Sequence, residues 1–253
     1  MFTINPFAEI SATVSPDIMQ WYIIVMALFV AGGTLFDMIH KKSAKYFFQD
    51  WGRKRAKAKT PLGGGSMASL AIKTAVVDVL ASGEFCKVPR RIAHLLTFYG
   101  FIGYLVATVM MVFQYATPDM ATPAWLPQLW YLGAAMVMFG GYWFWFFIRV
   151  DVAKEENSPF RLIRADLFVV SLLLSVTFGF LWGLTQASGS ADWSTFFLAL
   201  YVLANTVLFV GVPWSKFSHM FYKPAAAFEK KVEEADGSTK MPPPSDGSNL
   251  GAH

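Results

Sequence analysis

Long apolar stretches alternate with polar segments along the chain, and five of them are long enough to cross a bilayer. A membrane-spanning helix needs roughly 20 consecutive, mainly apolar residues. Stretches of that length predict five spans: Met19–Ile39, Ile92–Gln114, Leu129–Ile148, Leu167–Thr185 and Thr195–Phe217. The pattern therefore predicts an all-α integral membrane protein whose residues 18–222 form a five-helix bundle.

The composition agrees with this placement in a membrane. Of the 253 residues, 55% are hydrophobic and only 15% are charged, which is too apolar for an ordinary soluble domain. The segment before the first span has no Lys or Arg and no small-residue cleavage site. The first span is therefore predicted to stay in the protein and not to be a cleaved signal peptide.

The positions of the cations predict the orientation in the membrane. All 21 Lys and Arg residues lie in three segments, 41–91, 149–164 and 216 onward. Because Lys and Arg next to spans stay on the cytoplasmic side, the N-terminal arm (residues 1–17) is predicted to be periplasmic and the C-terminus cytoplasmic. The expected location is a bacterial inner membrane, crossed several times. The net charge of +4 then reflects topology and gives no reason to expect nucleic acid.

The cytoplasmic loop 41–91 is too long for a simple connection. Its second part carries residues at helical spacing that predict an amphipathic helix, namely Leu70, Ala71, Thr74, Val77 and Ala81. Such a helix either offers a docking surface to a soluble partner or lies at the membrane surface and seals the bundle. The cytoplasmic tail 223–253 is predicted to be mostly disordered, because its end is rich in Pro, Gly and Ser.

Three histidines are expected at the cytoplasmic ends of the spans. His40 ends the first span, His94 begins the second and His219 closes the fifth. A haem b held between helices takes two axial imidazoles at similar depth, so from depth alone any two of the three could be ligands. The alternative for each is a polar side chain at the level of the lipid headgroups. Cations at the same edge that could pair with haem propionates are Arg90, Arg91 and Lys216.

Two stretches resemble a known family. The run DVLASGEFCKVPRRIAHLLTFYGFIGYL and the later run VPWSKFSHMFYKPAAAFEK resemble the membrane domain of the respiratory nitrate reductase gamma subunit superfamily. Similar membrane parts belong to the quinone-interacting membrane-bound oxidoreductase complex, the sulfite-reduction complex and membrane-bound heterodisulfide reductase. The resemblance implies that His94 and His219 are the axial ligands of a haem b.

The chain departs from the two-haem members of that family in an informative way. Where they carry a second histidine on helix 2 and on helix 5, this sequence has Tyr104 and Tyr201, so the resemblance implies one haem. It also implies electron transfer between quinone and a cytoplasmic iron–sulfur or flavin oxidoreductase, docked on loop 41–91 and the C-terminal segment. Since no fused iron–sulfur domain is visible, the chain is similar to the membrane anchors proposed for adenylylsulfate (APS) reductase in sulfur metabolism.

Asp37 and His40 are the candidates for a quinone site. Together with Gly33 they share one face of the first span. A carboxylate and an imidazole one turn apart are suited to relay the protons that quinone reduction consumes. The alternative is a helix end that forms hydrogen bonds with itself beside Lys41.

Two glycines and the tryptophans in the spans are expected to have structural roles. Gly100 and Gly103 are expected at close helix contacts, and the tryptophans in aromatic belts at the membrane interface. In the fifth span a line of polar residues falls on nearly one face, unless Pro213 kinks the helix. These polar residues would either border quinone or water, or form ordinary interhelical hydrogen bonds. The members of this line are Tyr201, Asn205, Ser215 and His219.

The chemistry that the chain can perform alone is limited. Its single cysteine, Cys86, excludes an iron–sulfur cluster built from this chain alone, and no nucleophile–base pair or phosphate-binding loop is visible. Quinone oxidation or reduction is thus the only reaction predicted. The two competing functions are a haem b electron-transfer subunit and a haem-free structural tether for a cytoplasmic complex. A small-solute transporter is disfavoured, because the ionisable residues gather at one membrane edge.

Overall fold

The structure is a computed structural model that describes residues 2–40, 42–83, 87–149, 160, 162–163, 166–214 and 219–238. It is all-α, with no strand among those residues. The helices, in chain order, are α1 (Pro6–Glu9), α2 (Pro16–His40), α3 (Ser43–Arg55), α4 (Gly64–Lys73), α5 (Val88–Gln114), α6 (Trp125–Trp143), α7 (Leu167–Ala187), α8 (Ala191–Val210) and α9 (His219–Asp236). π-helical segments prolong α4 over Thr74–Leu80 and α6 over Phe144–Ile148.

Five of these helices are long and apolar enough to cross a membrane: α2, α5, α6 with its π-helical end, α7 and α8. The chain is therefore a multi-pass membrane protein, and the predicted all-α five-helix architecture is confirmed. Which terminus faces the cytoplasm stays a prediction. Below, the basic side is the membrane side where α2 ends and α5 begins, and the opposite side, whose segments contain no Lys or Arg, is the cation-free side.

The chain divides into two compact units. The transmembrane unit comprises Met1–Leu35 and Phe85–Ser218, and the loop unit comprises Phe36–Glu84 and His219–His253. Helix α2 contributes to both.

Glycines bring the helices of the transmembrane unit into backbone contact. A Cβ atom added to Gly133 of α6 would lie 2.7 Å from the carbonyl oxygen of Gly100 in α5, and one added to Gly140 would lie 2.7 Å from that of Ala93. A Cβ atom at Gly103 would meet Leu129 at 3.1 Å. Small residues at such crossings are how membrane helices gain close packing. The predicted roles of Gly100 and Gly103 as helix contacts are confirmed.

The fifth span ends earlier than the sequence predicted. Helix α8 stops at Val210 and a short 3-10 turn, Val212–Trp214, follows. Pro213 has no N–H to donate and its ring crowds the preceding turn, which favours an end to the helix at this point. The prediction that one helix reaches Phe217 and is closed by His219 is therefore wrong, because His219 begins the separate helix α9.

The N-terminal arm is folded against the cation-free side of the bundle. Asn5 caps α1, since its Oδ1 accepts hydrogen bonds from the N–H groups of Phe7 and Ala8 at 3.0 and 3.3 Å. Its Nδ2 donates to the carbonyl oxygen of Tyr115 at the end of α5, at 2.8 Å. Phe7 is buried with its ring centroid 5.1 Å from that of Trp182. The arm is thus part of the core of the transmembrane unit.

The loop unit packs α3, α4 and α9 together. Lys54 of α3 forms ion pairs with Asp50 at 2.5 Å and, on α9, with Glu229 at 3.1 Å and Glu233 at 2.6 Å. Trp51 stacks on Phe228 with a centroid distance of 5.8 Å. The predicted helix in loop 41–91 is confirmed as α4 and its π-helical continuation. Helix α9 was not predicted, and residues 239–253 of the tail lie outside the described residues.

Candidate functional site

His94 lies in the second turn of α5, at the basic end of the transmembrane unit. Its side chain is exposed, and its ring stacks on that of Phe98 one turn further on, with a centroid distance of 6.1 Å and an interplanar angle of 9°. The neighbouring Ala93 is buried against α6. The backbone of α5 is therefore fixed on one side, while the imidazole lies on the exposed side of the helix.

The predicted propionate partners are partly visible. Arg90 and Arg91 belong to the first turn of α5, not to the loop, and both are exposed. Lys216 lies outside the described residues. For His219 the structure describes the backbone position at the start of α9 but not the side chain. The pairing of His94 with His219 stays a prediction.

The predicted proton pair on α2 consists of two residues in different surroundings. Asp37 is 2% exposed, whereas His40 is exposed and stacks on Phe36 with a centroid distance of 5.4 Å and an interplanar angle of 8°. A buried carboxylate needs polar partners, and Asp37 has one. Their role in quinone chemistry stays a prediction.

A charged pair that was not predicted from the sequence lies at the basic ends of α6 and α7. The Nε of Arg149 donates to Oδ1 of Asp166 at 2.9 Å, and the guanidinium lies 4.2 Å from the centroid of the Trp145 ring. The other carboxylate oxygen of Asp166 accepts the N–H of Ile163 at 2.9 Å. The sequence does indicate this pair, because two oppositely charged residues stand at the two ends of the same predicted loop. The pair holds the end of α6 to the start of α7.

The interior toward the cation-free side is filled by aromatic rings. Tyr104 stacks on Trp130 with a centroid distance of 5.0 Å, and Tyr201 stacks on Trp182 at 5.7 Å. The two tryptophans meet edge to face at 6.3 Å, and both are completely buried. The predicted interfacial belts are wrong for the buried tryptophans Trp130, Trp145 and Trp182. For the exposed ones, Trp21, Trp125, Trp193 and Trp214, the belt stays a prediction.

This packing leaves no room for a haem between Tyr104 and Tyr201. Both tyrosines close on Gly179 of α7, where an added Cβ atom would overlap the Tyr104 hydroxyl and lie 2.9 Å from the Tyr201 ring. Protein interiors at such density have no space for a group of porphyrin size. These positions, where two-haem members of the resembling family carry histidines, therefore do not fit a second haem.

The polar line predicted on the fifth span is divided by the end of α8. Asn205 is buried and makes interhelical contact, since its Oδ1 accepts the hydroxyl of Ser175 at 3.0 Å and its Nδ2 donates to the Tyr201 carbonyl at 2.8 Å. Ser215 lies outside the described residues. Of the two alternatives for this line, the hydrogen bonds favour helix–helix contact at Asn205.

In the part of the chain that the structure describes, no three His, Cys, Asp or Glu side chains come together as a metal site. The chain matches no known protein family, no curated protein and no solved structure.

Proposed function

We propose that the chain is a haem b-containing, quinone-interacting membrane subunit that passes electrons between a cytoplasmic oxidoreductase and the quinone pool of a bacterial inner membrane. The observation that carries the proposal is His94, an exposed imidazole on a rigidly packed helix at the basic end of the transmembrane unit. A haem b bound there would accept and release single electrons.

One haem b per chain is the stoichiometry that we propose. His94 and His219 would supply the axial nitrogens, and Arg90, Arg91 and Lys216 would neutralise the propionates. The exposed side chains of Arg90 and Arg91 suit that role. The closed aromatic packing around Tyr104 supports the limit of one, because it removes the second position.

Quinone is the proposed exchangeable substrate, with Asp37 and His40 as candidates for handling its protons. A buried carboxylate one turn from an exposed imidazole gives a proton a route between the protein interior and the surface. In this proposal the chain binds and orients quinone and moves protons, and it performs no other reaction.

The proposed partner is a soluble iron–sulfur or flavin oxidoreductase, and the resemblance favours APS reductase in sulfur metabolism. Helices α3 and α9 of the loop unit support docking, because the ion pairs around Lys54 hold them in a fixed arrangement. The same observation favours a second candidate function, a haem-free tether, since a preformed docking surface is all that a tether needs.

A spectroscopic haem count separates the two functions. The purified full-length chain is examined by a dithionite-reduced minus oxidised spectrum and a pyridine haemochrome assay. About one haem b per chain is expected for a single bis-imidazole site. Its absence would overturn the electron-transfer proposal and leave the tether.

Ligand variants then test the assignment. His94→Ala and His219→Ala are each expected to abolish the haem spectrum, whereas the matched variant His40→Ala keeps it and slows quinone turnover. Full haem content in His219→Ala would overturn the ligand pair.

A further inference from the structure

Helix α4 and its π-helical continuation present one face to the rest of the loop unit. Thr74 is buried on this face, and Asp78 forms an ion pair with Lys231 of α9. At the start of α4, the sulfur of Met67 accepts a hydrogen bond from Arg55 of α3 at 2.9 Å. These contacts fix which side of the helix faces inward.

The opposite face is apolar and exposed. Ile72, Val76 and Leu80 follow at intervals of four residues and are 65%, 51% and 46% exposed. The exposed alanines on or beside this face, Ala68, Ala71 and Ala75, add no polar group. A helix face in contact with water normally carries charged or polar side chains. This face is therefore built for contact with an apolar medium.

The loop around this face has a large excess of positive charge. Residues 42–83 contain eight Lys and Arg and two Asp. Both aspartates are engaged within the unit, Asp50 by Lys54 and Asp78 by Lys231. The remaining seven cations are exposed: Lys42, Lys45, Arg53, Arg55, Lys57, Lys59 and Lys73. The charge that the loop presents outward is thus positive, and Lys73 lies directly beside Ile72 on α4.

The chain connections hold this helix close to the bilayer. Helix α3 begins at Ser43, only three positions after α2 ends at His40. The π-helical segment ends at Leu80 and α5 begins at Val88, and the intervening residues extend at most about 25 Å. Both ends of the loop are therefore continuous with membrane spans, and the apolar face cannot move far from the lipid headgroups.

We propose that the exposed face of residues 64–80 inserts into the headgroup region of an anionic bilayer, with Ile72, Val76 and Leu80 among the acyl chains and Lys73 on the lipid phosphates. Apolar faces flanked by Lys and Arg bind anionic membranes in this way. A soluble protein is the competing occupant. The face contains none of the Trp, Tyr or Arg anchors that dominate protein interfaces, whereas the positive charge complements lipid phosphate.

The proposal is independent of the proposed electron-transfer function. If it holds, a soluble partner must dock on α3 and α9, because the outward face of α4 is covered by lipid.

Depth-dependent fluorescence quenching tests the insertion. In the full-length chain with Cys86→Ser, a bimane label is attached to Val76→Cys or, in a second preparation, to Ile72→Cys. Nanodiscs are made of phosphatidylcholine with or without phosphatidylglycerol and contain lipid with a nitroxide near the headgroup end of the acyl chain. Quenching at both positions is expected to exceed that of a control label at Lys230→Cys by at least about twofold and to increase with phosphatidylglycerol, as insertion next to basic residues requires.

The control position Lys230 lies on α9, and its side chain is 73% exposed. Equal quenching at Ile72, Val76 and Lys230, or quenching that ignores lipid charge, would overturn the proposal. So would labels at Ile72 and Val76 that respond only to a water-soluble quencher, since this face would then lie in solvent, open to a protein partner. Using two labelled positions keeps the test decisive if one variant fails to fold.

Discussion

The transmembrane unit and the loop unit are stabilised by opposite means. In the first, glycine backbones meet and aromatic rings fill the space between helices, as at Gly133 and Trp130. In the second, one cation, Lys54, joins three carboxylates on two helices. Lipid tails are as apolar as the side chains of the spans, so helices in a bilayer associate through close fit and not through the hydrophobic effect. Water allows the loop unit to use charge instead.

Removing the ring of Trp130 should have the largest effect on the free energy of unfolding. Trp130 is fully buried, stacks on Tyr104 and donates its Nε1 hydrogen to Thr108 at 3.0 Å. Trp130→Ala leaves a cavity in the packed interior and is expected to lower the free energy of unfolding by about 3–5 kcal/mol. Thermal unfolding in detergent measures it. Trp193→Ala, at a side chain that is 60% exposed, is the control and should change little; equal losses in both variants would contradict the packing argument.

A single methyl group at a helix crossing should have the next largest effect. Gly133→Ala places a Cβ atom 2.7 Å from the Gly100 carbonyl oxygen and the Tyr104 nitrogen, and backbone atoms cannot rotate away. We expect a loss of about 1–3 kcal/mol, seen in the same unfolding assay. Gly32→Ala adds the same group where no atom lies within 4 Å and should be neutral. A stable Gly133→Ala protein would show that α5 and α6 can separate at little cost.

The loop unit should respond to loss of its cation. Lys54→Met leaves Asp50, Glu229 and Glu233 without the charge that joins them. The expected cost is about 1 kcal/mol, or roughly fivefold faster amide exchange in α9, because the cluster is partly exposed. Hydrogen–deuterium exchange of residues 219–236 measures it. Lys230→Met removes only a long, exposed pair with Glu234 and serves as the control; equal acceleration in both variants would rule out a special role for Lys54.

The same cluster predicts a pH dependence. The hydrogen bond from Lys54 lowers the pKa of Asp50 below its ordinary value of 3.8, and the hydrogen bonds to Asp50 and Glu233 raise the pKa of Lys54 above its ordinary 10.5. Asp50 contributes to the stability of the folded unit above pH 3.8, and this contribution is lost as the pH falls through its lowered pKa. Lys54 contributes below pH 10.5, and its contribution is lost as the pH rises through its raised pKa.

Exchange protection in α3, which carries both Asp50 and Lys54, should therefore stay constant between about pH 5 and 9 and fall on acidification below about pH 4. In Lys54→Met this acid limb should disappear, because Asp50 then has lost the cation that lowers its pKa. A falling acid limb in both proteins would contradict the assignment.

The smallest expected change in stability comes from removing either of two tyrosine hydroxyls on α6. That of Tyr131 is buried with no hydrogen-bond partner among the described residues, whereas that of Tyr142 lies 2.9 Å from the Thr177 hydroxyl. Tyr131→Phe should leave stability unchanged or raise it by up to about 1 kcal/mol, and Tyr142→Phe should lower it by about 0.5–1 kcal/mol. Unfolding of the two variants side by side measures the difference, and a reversed order would mean that Tyr131 has a polar partner.

The spans could be predicted because length and hydropathy alone define them, but their ends could not. The apolar run of the fifth span continues past Pro213, so hydropathy extends the span beyond the residue whose missing N–H favours its end. Helix α9 was overlooked because the tail was judged by composition, although Lys230 and Glu234 stand at the spacing of a helical ion pair. Its attachment through Lys54, distant in sequence, is a long-range contact that no local pattern contains.

The candidate site was predictable only where it depends on position along a span. His94 was placed at the start of a helix because the apolar run begins there. The burial of Trp182 depends on neighbouring helices. The indication in the sequence is the spacing of Gly179 and Gly183, which makes room on α7 for rings from α5, α6 and α8. Belt statistics describe depth in the membrane and not which side of a helix faces inward.

The capping and anchoring of α1 have a consequence for biosynthesis. Asn5 binds Tyr115, and Phe7 lies between Trp130 and Trp182, so the N-terminal arm meets the last of these partners only after α7 has been made. The N-terminal segment must wait on the cation-free side while three further helices are inserted. A segment made before all five spans is thus among the last to reach its native position.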